Sequence, residues 1–161
     1  MPVLEWPELR AALPPGQRLL GLDVGDKTIG LALSDPSLRV ASPVGVVRRG
    51  RIGADAAALE TLTRERGVGG LVLGLPLDMH GGEGRRCQSV RQFQRNIAGR
   101  GLDLPCVFWD ERLSTVAVER LLIREADMNR RRRSAVVDKM AAAVILQGAL
   151  DAMAHHHGMR I

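Results

Sequence analysis

The chain has 161 residues, 45% apolar and 25% charged, which suits one globular domain with a buried core and excludes disorder and collagen. Its longest apolar run, the seven residues from Met140 to Leu146, falls far short of the roughly 18 that a membrane span needs. Lys and Arg total 23 against 18 Asp and Glu, a net charge of +5, and only Lys27 and Lys139 are Lys.

The cations are therefore mostly Arg, whose planar fork pairs bidentately with phosphate. That balance fits a polyanionic partner, and it also fits an Arg-coated, solvated surface. There is no Tyr, and Trp6, Trp109, Phe93 and Phe108 are the only aromatic residues, so a base-stacking sheet is not expected. A nucleic acid would be gripped by its backbone. The N-terminus carries no basic-then-apolar leader, and Cys87 and Cys106 have no metal spacing; both fit packing residues in a reducing cytoplasm.

In chain order, residues 1–17 form a Pro- and Ala-rich lead-in ending in Leu13-Pro14-Pro15-Gly16. Arg18 to Val24 reads as a buried strand, Gly25-Asp26-Lys27 as a tight turn, and Thr28 to Ser34 as an alternating strand. A third, β-branched run spans Val40 to Val47, so the first three strands suggest an antiparallel meander. Ala54 to Arg66 has helical spacing, Val68 to Leu75 is a short apolar strand, and a glycine-rich loop, His80 to Gly84, opens a basic helix to about Gly99. A strand, Cys106 to Trp109, leads to a helix from about Ser114 to Ala126, capped by Ser114 or Thr115. The last helix runs from about Ser134 to Ala154, after the loop charge run Arg130 to Arg133. The expected fold class is α/β, with a mixed sheet of about five strands and helices on both faces.

Four carboxylates draw attention. Asp23 ends an apolar strand, where it either caps the following turn or faces a cation. Asp110 and Glu111 follow the strand Cys106 to Trp109, at the kind of strand end where open α/β sheets place ligand sites. Neighbouring strand residues point to opposite faces, so one of the two serves a given site and the other does not. Asp138 precedes Ala141, Ala142, Ile145 and Leu146 at helical intervals and shares their buried face, although a first-turn acid also suits the helix dipole. Three such acids meeting at one sheet edge, with no His or Cys beside them, suit Mg2+ or Mn2+. Two ions about 4 Å apart can activate water and stabilise a leaving oxygen in phosphodiester cleavage.

Four segments resemble, in order, the motifs of the YqgF/RuvX family, a ribonuclease H-like group: Gly21-Leu-Asp-Val-Gly-Asp-Lys-Thr-Ile-Gly30, Gly74-Leu-Pro-Leu-Asp-Met-His-Gly-Gly-Glu-Gly84, Asp110-Glu-Arg-Leu-Ser-Thr115 and Asp138-Lys-Met-Ala-Ala-Ala-Val-Ile-Leu-Gln147. The resemblance covers about residues 18 to 152 and implies a three-layer ribonuclease H-like fold. It implies that Asp23, Glu111 and Asp138 are catalytic and hold two Mg2+ or Mn2+ ions, with Asp110 in reserve for Glu111. Lys27, Arg112, Arg131 and Arg132 are the expected substrate contacts. The chain departs from the family in its first 17 residues and at His80, where the family loop is commonly acidic or polar. On this reading 1–17 is an N-terminal extension, 18–154 the nuclease domain and 155–161 a tail whose three His are incidental.

Such proteins are described both as Holliday junction resolvases and as nucleases maturing the 5′ end of the 16S ribosomal RNA precursor. A resolvase cuts two strands symmetrically and favours a homodimer. No heptad-patterned apolar helix advertises a dimer face, which favours RNA maturation. The expectation is a cytoplasmic, metal-dependent nuclease with a nucleic-acid partner and no membrane. The alternatives are a junction resolvase and a non-catalytic nucleic-acid or ribosome-associated binding module, which would leave the acids without a task beyond capping. An actin-like ATPase or sugar kinase, whose first phosphate loop resembles Asp23 to Gly30, needs two related domains and finds only one here. The Gly81-Gly82-Glu83-Gly84 amides could hold a phosphate, and Arg85, Arg86, Arg91 and Arg95 read as a solvated basic helix face.

Overall fold

A computed structural model describes the backbone of residues 3–113 and 130–158, with every side chain in them except at 6, 113, 130–138 and 155–158. The meander forms as its turns dictate. Strand β1 (Arg18–Val24) pairs antiparallel with β2 (Thr28–Ser34), and β2 with β3 (Ala41–Arg48). Strand β4 (Val68–Leu75) then lies parallel to β1, and β5 (Cys106–Asp110) parallel to β4. The resulting sheet has the order β3-β2-β1-β4-β5, so the carboxyl ends of β1, β4 and β5 share one edge.

Each sheet face buries its own core. Helices α2 (Ile52–Arg66) and α3 (Arg85–Ala98) cover one face, packing Leu59, Val90, Phe93 and Ile97 on Leu20, Leu22, Leu71 and Leu73. Helix α2 ends at Gly67, whose φ of 64° is left-handed and lets its N–H reach the carbonyl of Thr63. The long helix α4 (Arg130–Gly158) covers the other face through Ala142, Ile145, Leu146, Ala149 and Met153, against Leu19, Ala32, Val72 and Val107. Strand β4 lies between the two layers and is buried along its whole length, which explains its unbroken apolar sequence.

Three expectations need revision or extension. The run Arg130 to Arg133 is not a loop between helices: α4 begins at Arg130, because Arg is a good helix former and no Pro or Gly breaks the chain there. The same helix continues through His155–His157 to Gly158. The lead-in contains a helix of its own, α1 (Trp6–Ala12), started by Pro7 in its first turn. Its Leu9 is fully buried in the α4-side core, and Val3 bridges Cys106 in parallel while Leu4 N–H donates to the Cys106 carbonyl at 2.8 Å. That contact covers part of the edge of β5. The expected helix from Ser114 to Ala126 lies outside the described residues.

Helix α4 is also fastened by one polar side chain. Gln147 accepts from Ala41 N–H at 2.8 Å and donates to the Arg39 carbonyl at 2.9 Å, tying the helix to the start of β3. Replacing Gln147 by Leu keeps the volume and strands both backbone groups at a partly exposed position. The expected loss is about 1 kcal/mol, read as a lower urea midpoint with an unchanged slope.

Candidate active site

Alternation along β1 decides where Asp23 points. Leu20, Leu22 and Val24 enter the α2/α3 core, so Leu19, Gly21 and Asp23 face α4. The turn after Asp23 is closed by its own backbone, Gly25 N–H to the Thr28 carbonyl at 2.9 Å. Asp23 is thus available for a different contact, and it makes one with Glu111.

Glu111 begins a single 3-10 turn, Glu111–Leu113, immediately after β5. It and Asp110 go separate ways. Asp110 is gripped by its neighbour: Arg112 Nε donates to both carboxylate oxygens at 3.0 and 2.9 Å, Nη2 to Oδ2 at 2.6 Å, and the Arg112 N–H to Oδ1 at 3.0 Å. This guanidinium holds the Asp110 carboxyl below the usual carboxylate range. Glu111 turns the other way, across the end of β4, and hydrogen-bonds Asp23. Burial, first, and then the Asp23 charge push the Glu111 carboxyl up to about 7, while Arg86 pulls it back down. Arg86, expected on a solvated helix face, therefore bears on the acid pair.

The close approach depends on missing side chains. A Cβ on Gly74 would stand 2.5 Å from Glu111 Oε1, 2.9 Å from its Cγ and 2.6 Å from Ile145 Cδ1. A Cβ on Gly21 would stand 2.8 Å from Leu146 Cβ and 3.1 Å from the Ala142 carbonyl oxygen. Gly21 thus lets α4 lie directly on β1. Asp138 precedes Ala142 by one helical turn, which brings its backbone toward the end of β1 where Asp23 stands. The side chain of Asp138 lies outside the described residues, as do those of Arg131 and Arg132, which the helix carries about two turns ahead of it.

The donor chemistry fits a hard divalent cation. Two carboxylates pressed together, one holding its proton toward neutrality, repel unless a cation neutralises them, and oxygen donors suit Mg2+ or Mn2+ over softer metals. Among the described residues no group of three His, Cys, Asp or Glu is arranged to hold a metal.

Two expected phosphate contacts stand differently from each other. Lys27 is exposed on the β1–β2 turn, four residues after Asp23. Arg112 is also exposed, but one edge of its guanidinium is occupied by Asp110, and Nη1 lies 3.6 Å from where a Gly81 Cβ would be. The Gly-rich loop does not present all its amides outward: Asp78 Oδ1 takes those of His80 at 2.9 Å and Gly82 at 2.7 Å. Arg91 is held by Glu83 at 2.5 and 3.1 Å and lies over the Phe108 ring, 4.7 Å from its centroid.

The chain is similar to known proteins. Residues 17–152 match the family model described as RuvX, Holliday junction resolvase. A protein of Paramagnetospirillum magneticum is 59% identical over 151 residues, spanning 94% of this chain and 96% of that one; a protein of Phenylobacterium zucineum is 55% identical, spanning 94% and 97%. Both carry the name "Putative pre-16S rRNA nuclease". The T. thermophilus RuvC chain solved with a Holliday junction substrate superposes with a TM-score of 0.55 at 15% identity, over 88% of this chain and 96% of that one, and shows the ribonuclease H-like fold in common. With a family match across the sheet, the acid pair and α4, the chain belongs to the RuvX family.

Proposed function

We propose that the chain is a divalent-metal-dependent nuclease that matures the 5′ end of the 16S ribosomal RNA precursor in the cytoplasm. The observation that carries the reading is the Asp23–Glu111 pair, brought into hydrogen-bond contact at the carboxyl edge of a ribonuclease H-like sheet, with Asp138 on the helix packed against Gly21. Curated relatives at 55% and 59% identity named for the pre-16S rRNA support the substrate.

Asp23, Glu111 and Asp138 would hold Mg2+ or Mn2+, which when bound supplies an activated water and charge neutralisation at the scissile phosphate. The chain's own groups do the rest. Glu111, whose carboxyl is raised toward neutrality by burial and by the Asp23 charge, hydrogen-bonds Asp23 and so fixes the spacing of the two carboxylates. Arg86 offsets negative charge beside the pair. Lys27, Arg112, Arg131 and Arg132 contact flanking phosphates, and Asp110 fixes the reach of Arg112.

The test is cleavage of an end-labelled 16S precursor leader, a single-stranded RNA and a four-way DNA junction, each in Mg2+, Mn2+ or chelator. The expected result is metal-dependent cutting, the leader preferred, and none by Asp23→Asn. Cutting that persists in chelator or in that variant overturns the reading. Symmetric cutting of the junction in preference to the leader would instead establish a resolvase, which requires a homodimer.

A further inference from the structure

Sequence reading picks out Arg130–Arg133 as the charge run and passes over Arg48-Arg49-Gly50-Arg51. The structure separates these three arginines sharply. Arg49 is structural: its Nη1 donates to the Gly25 carbonyl at 2.7 Å, its N–H to the Lys27 carbonyl at 2.8 Å, and its guanidinium lies 5.0 Å from the Phe93 ring centroid. It fastens the end of β3 to the turn that follows Asp23.

Arg48 and Arg51 are exposed, and neither side chain has a hydrogen-bond or ion-pair partner among the described residues. Their backbone is nevertheless fixed. Asp55, 4% exposed, takes the Gly50 N–H on Oδ1 at 3.0 Å, and its own N–H reaches the Arg51 carbonyl at 3.0 Å. Ladder register gives the direction of Arg48. Ile29 and Val47 are paired and both pack into the α2/α3 core, so the next pair, Thr28 and Arg48, lies on the opposite face. That is the face of Asp23, two strands (about 10 Å) across the sheet and two residues (about 7 Å) along it.

We propose that Arg48 and Arg51, together with Lys27, form a phosphate-gripping limb for the nucleic-acid strand on the β3 side of the acid pair. The opposite side is served by Arg86 and Arg112. Two guanidinium groups unpaired among the described residues, Arg48 on the sheet face of the acids and Arg51 three residues on, just beyond the same end of β3, on a braced backbone, suit repeated backbone phosphates at low ordering cost. The proposal rests on the nuclease reading of the acid pair, and its test is independent of cutting.

The measurement is anisotropy of labelled single-stranded RNA, long enough to cross the sheet edge, binding the full chain in chelator at several salt concentrations. In the Arg48→Ala, Arg51→Ala double variant the slope of log affinity against log salt flattens by about 1.4, and affinity at 0.15 M salt falls about tenfold. Arg48→Lys with Arg51→Lys restores the slope, and Arg64→Ala, on the Glu60-paired flank of α2, leaves it as in the wild type. An unchanged slope in the double Ala variant overturns the limb, as does equal flattening by Arg64→Ala or absence of wild-type binding. A flattened slope in a protein that cuts nothing supports the limb and sinks the nuclease reading alone.

Discussion

Replacing Glu111 by Gln reduces metal-dependent cleavage by about 10³-fold and at the same time makes the metal-free protein more stable at pH 8. On the proposed function, the loss follows from removing a charged oxygen donor from the metal site. The gain follows from the pair's electrostatics. The Glu111 carboxyl is pushed up to about 7 by burial and by Asp23, so the folded state holds a proton there that the unfolded chain has released. Between about pH 4.3 and 7 the folded state therefore binds more protons, and stability falls as pH rises through that window. Above it the full penalty of two partly buried, facing carboxylates is present. A Gln at 111 carries no charge and can donate to Asp23 at every pH, a hydrogen bond that protonated Glu111 supplies only below its raised pKa. Allowing for its partial exposure, the gain is about 2 kcal/mol at pH 8, or about 5 °C in melting temperature, vanishing near pH 4. Thermal melts in chelator at pH 4 and 8 check it. A variant melting below the wild type at pH 8 would show that the two acids are not in electrostatic conflict.

The acids are legible in the sequence, while much around them is not. Asp23 and Glu111 stand at the ends of short apolar runs bounded by turns, and that pattern alone puts carboxylates at a sheet edge. Strand alternation leaves Asp110 and Glu111 open and the family resemblance puts Glu111 first with Asp110 in reserve; what the sequence does not show is the local grip of Arg112 on Asp110. Strands β1 to β4 follow from alternation and unbroken apolar character. The docking of residues 3–12 on β5 and α4 is not legible, since it joins Val3 to Cys106 across most of the chain with no local signal. The role of Arg48 is hidden for the same reason: register on β2, not composition, puts it on the face of Asp23. Arg86 and Arg91 read alike in the sequence as members of one basic helix, yet one bears on Glu111 and the other is held by Glu83 and Phe108.

Two glycine-to-alanine substitutions separate the site from the scaffold that holds it. At Gly21 the new methyl meets Leu146 Cβ at 2.8 Å and the Ala142 carbonyl at 3.1 Å, atoms rooted in the α4 backbone that cannot swing aside. The helix must lift from β1, loosening the buried contacts of Leu19, Ala142 and Leu146, and the expected cost is about 3 kcal/mol with activity lost through misplacement of α4. At Gly74 the methyl meets Glu111 Oε1 at 2.5 Å and Ile145 Cδ1 at 2.6 Å, both at the far ends of flexible side chains. These can move, so the fold loses only about 1 kcal/mol, but Glu111 is displaced from Asp23 by the volume of a methyl group. A shift of about 1 Å at a reacting centre costs about 10²-fold in turnover. The expected contrast is therefore a Gly21→Ala protein with a strongly lowered urea midpoint and a Gly74→Ala protein that folds nearly as well as the wild type and cuts poorly. Its raised Glu111 proton affinity should also relax toward the ordinary carboxylate value, because the separation weakens the Asp23 repulsion and opens the group to water. If Gly74→Ala cuts at the wild-type rate, Glu111 does not need its place across the end of β4, and the acid pair seen here is not the arrangement that works.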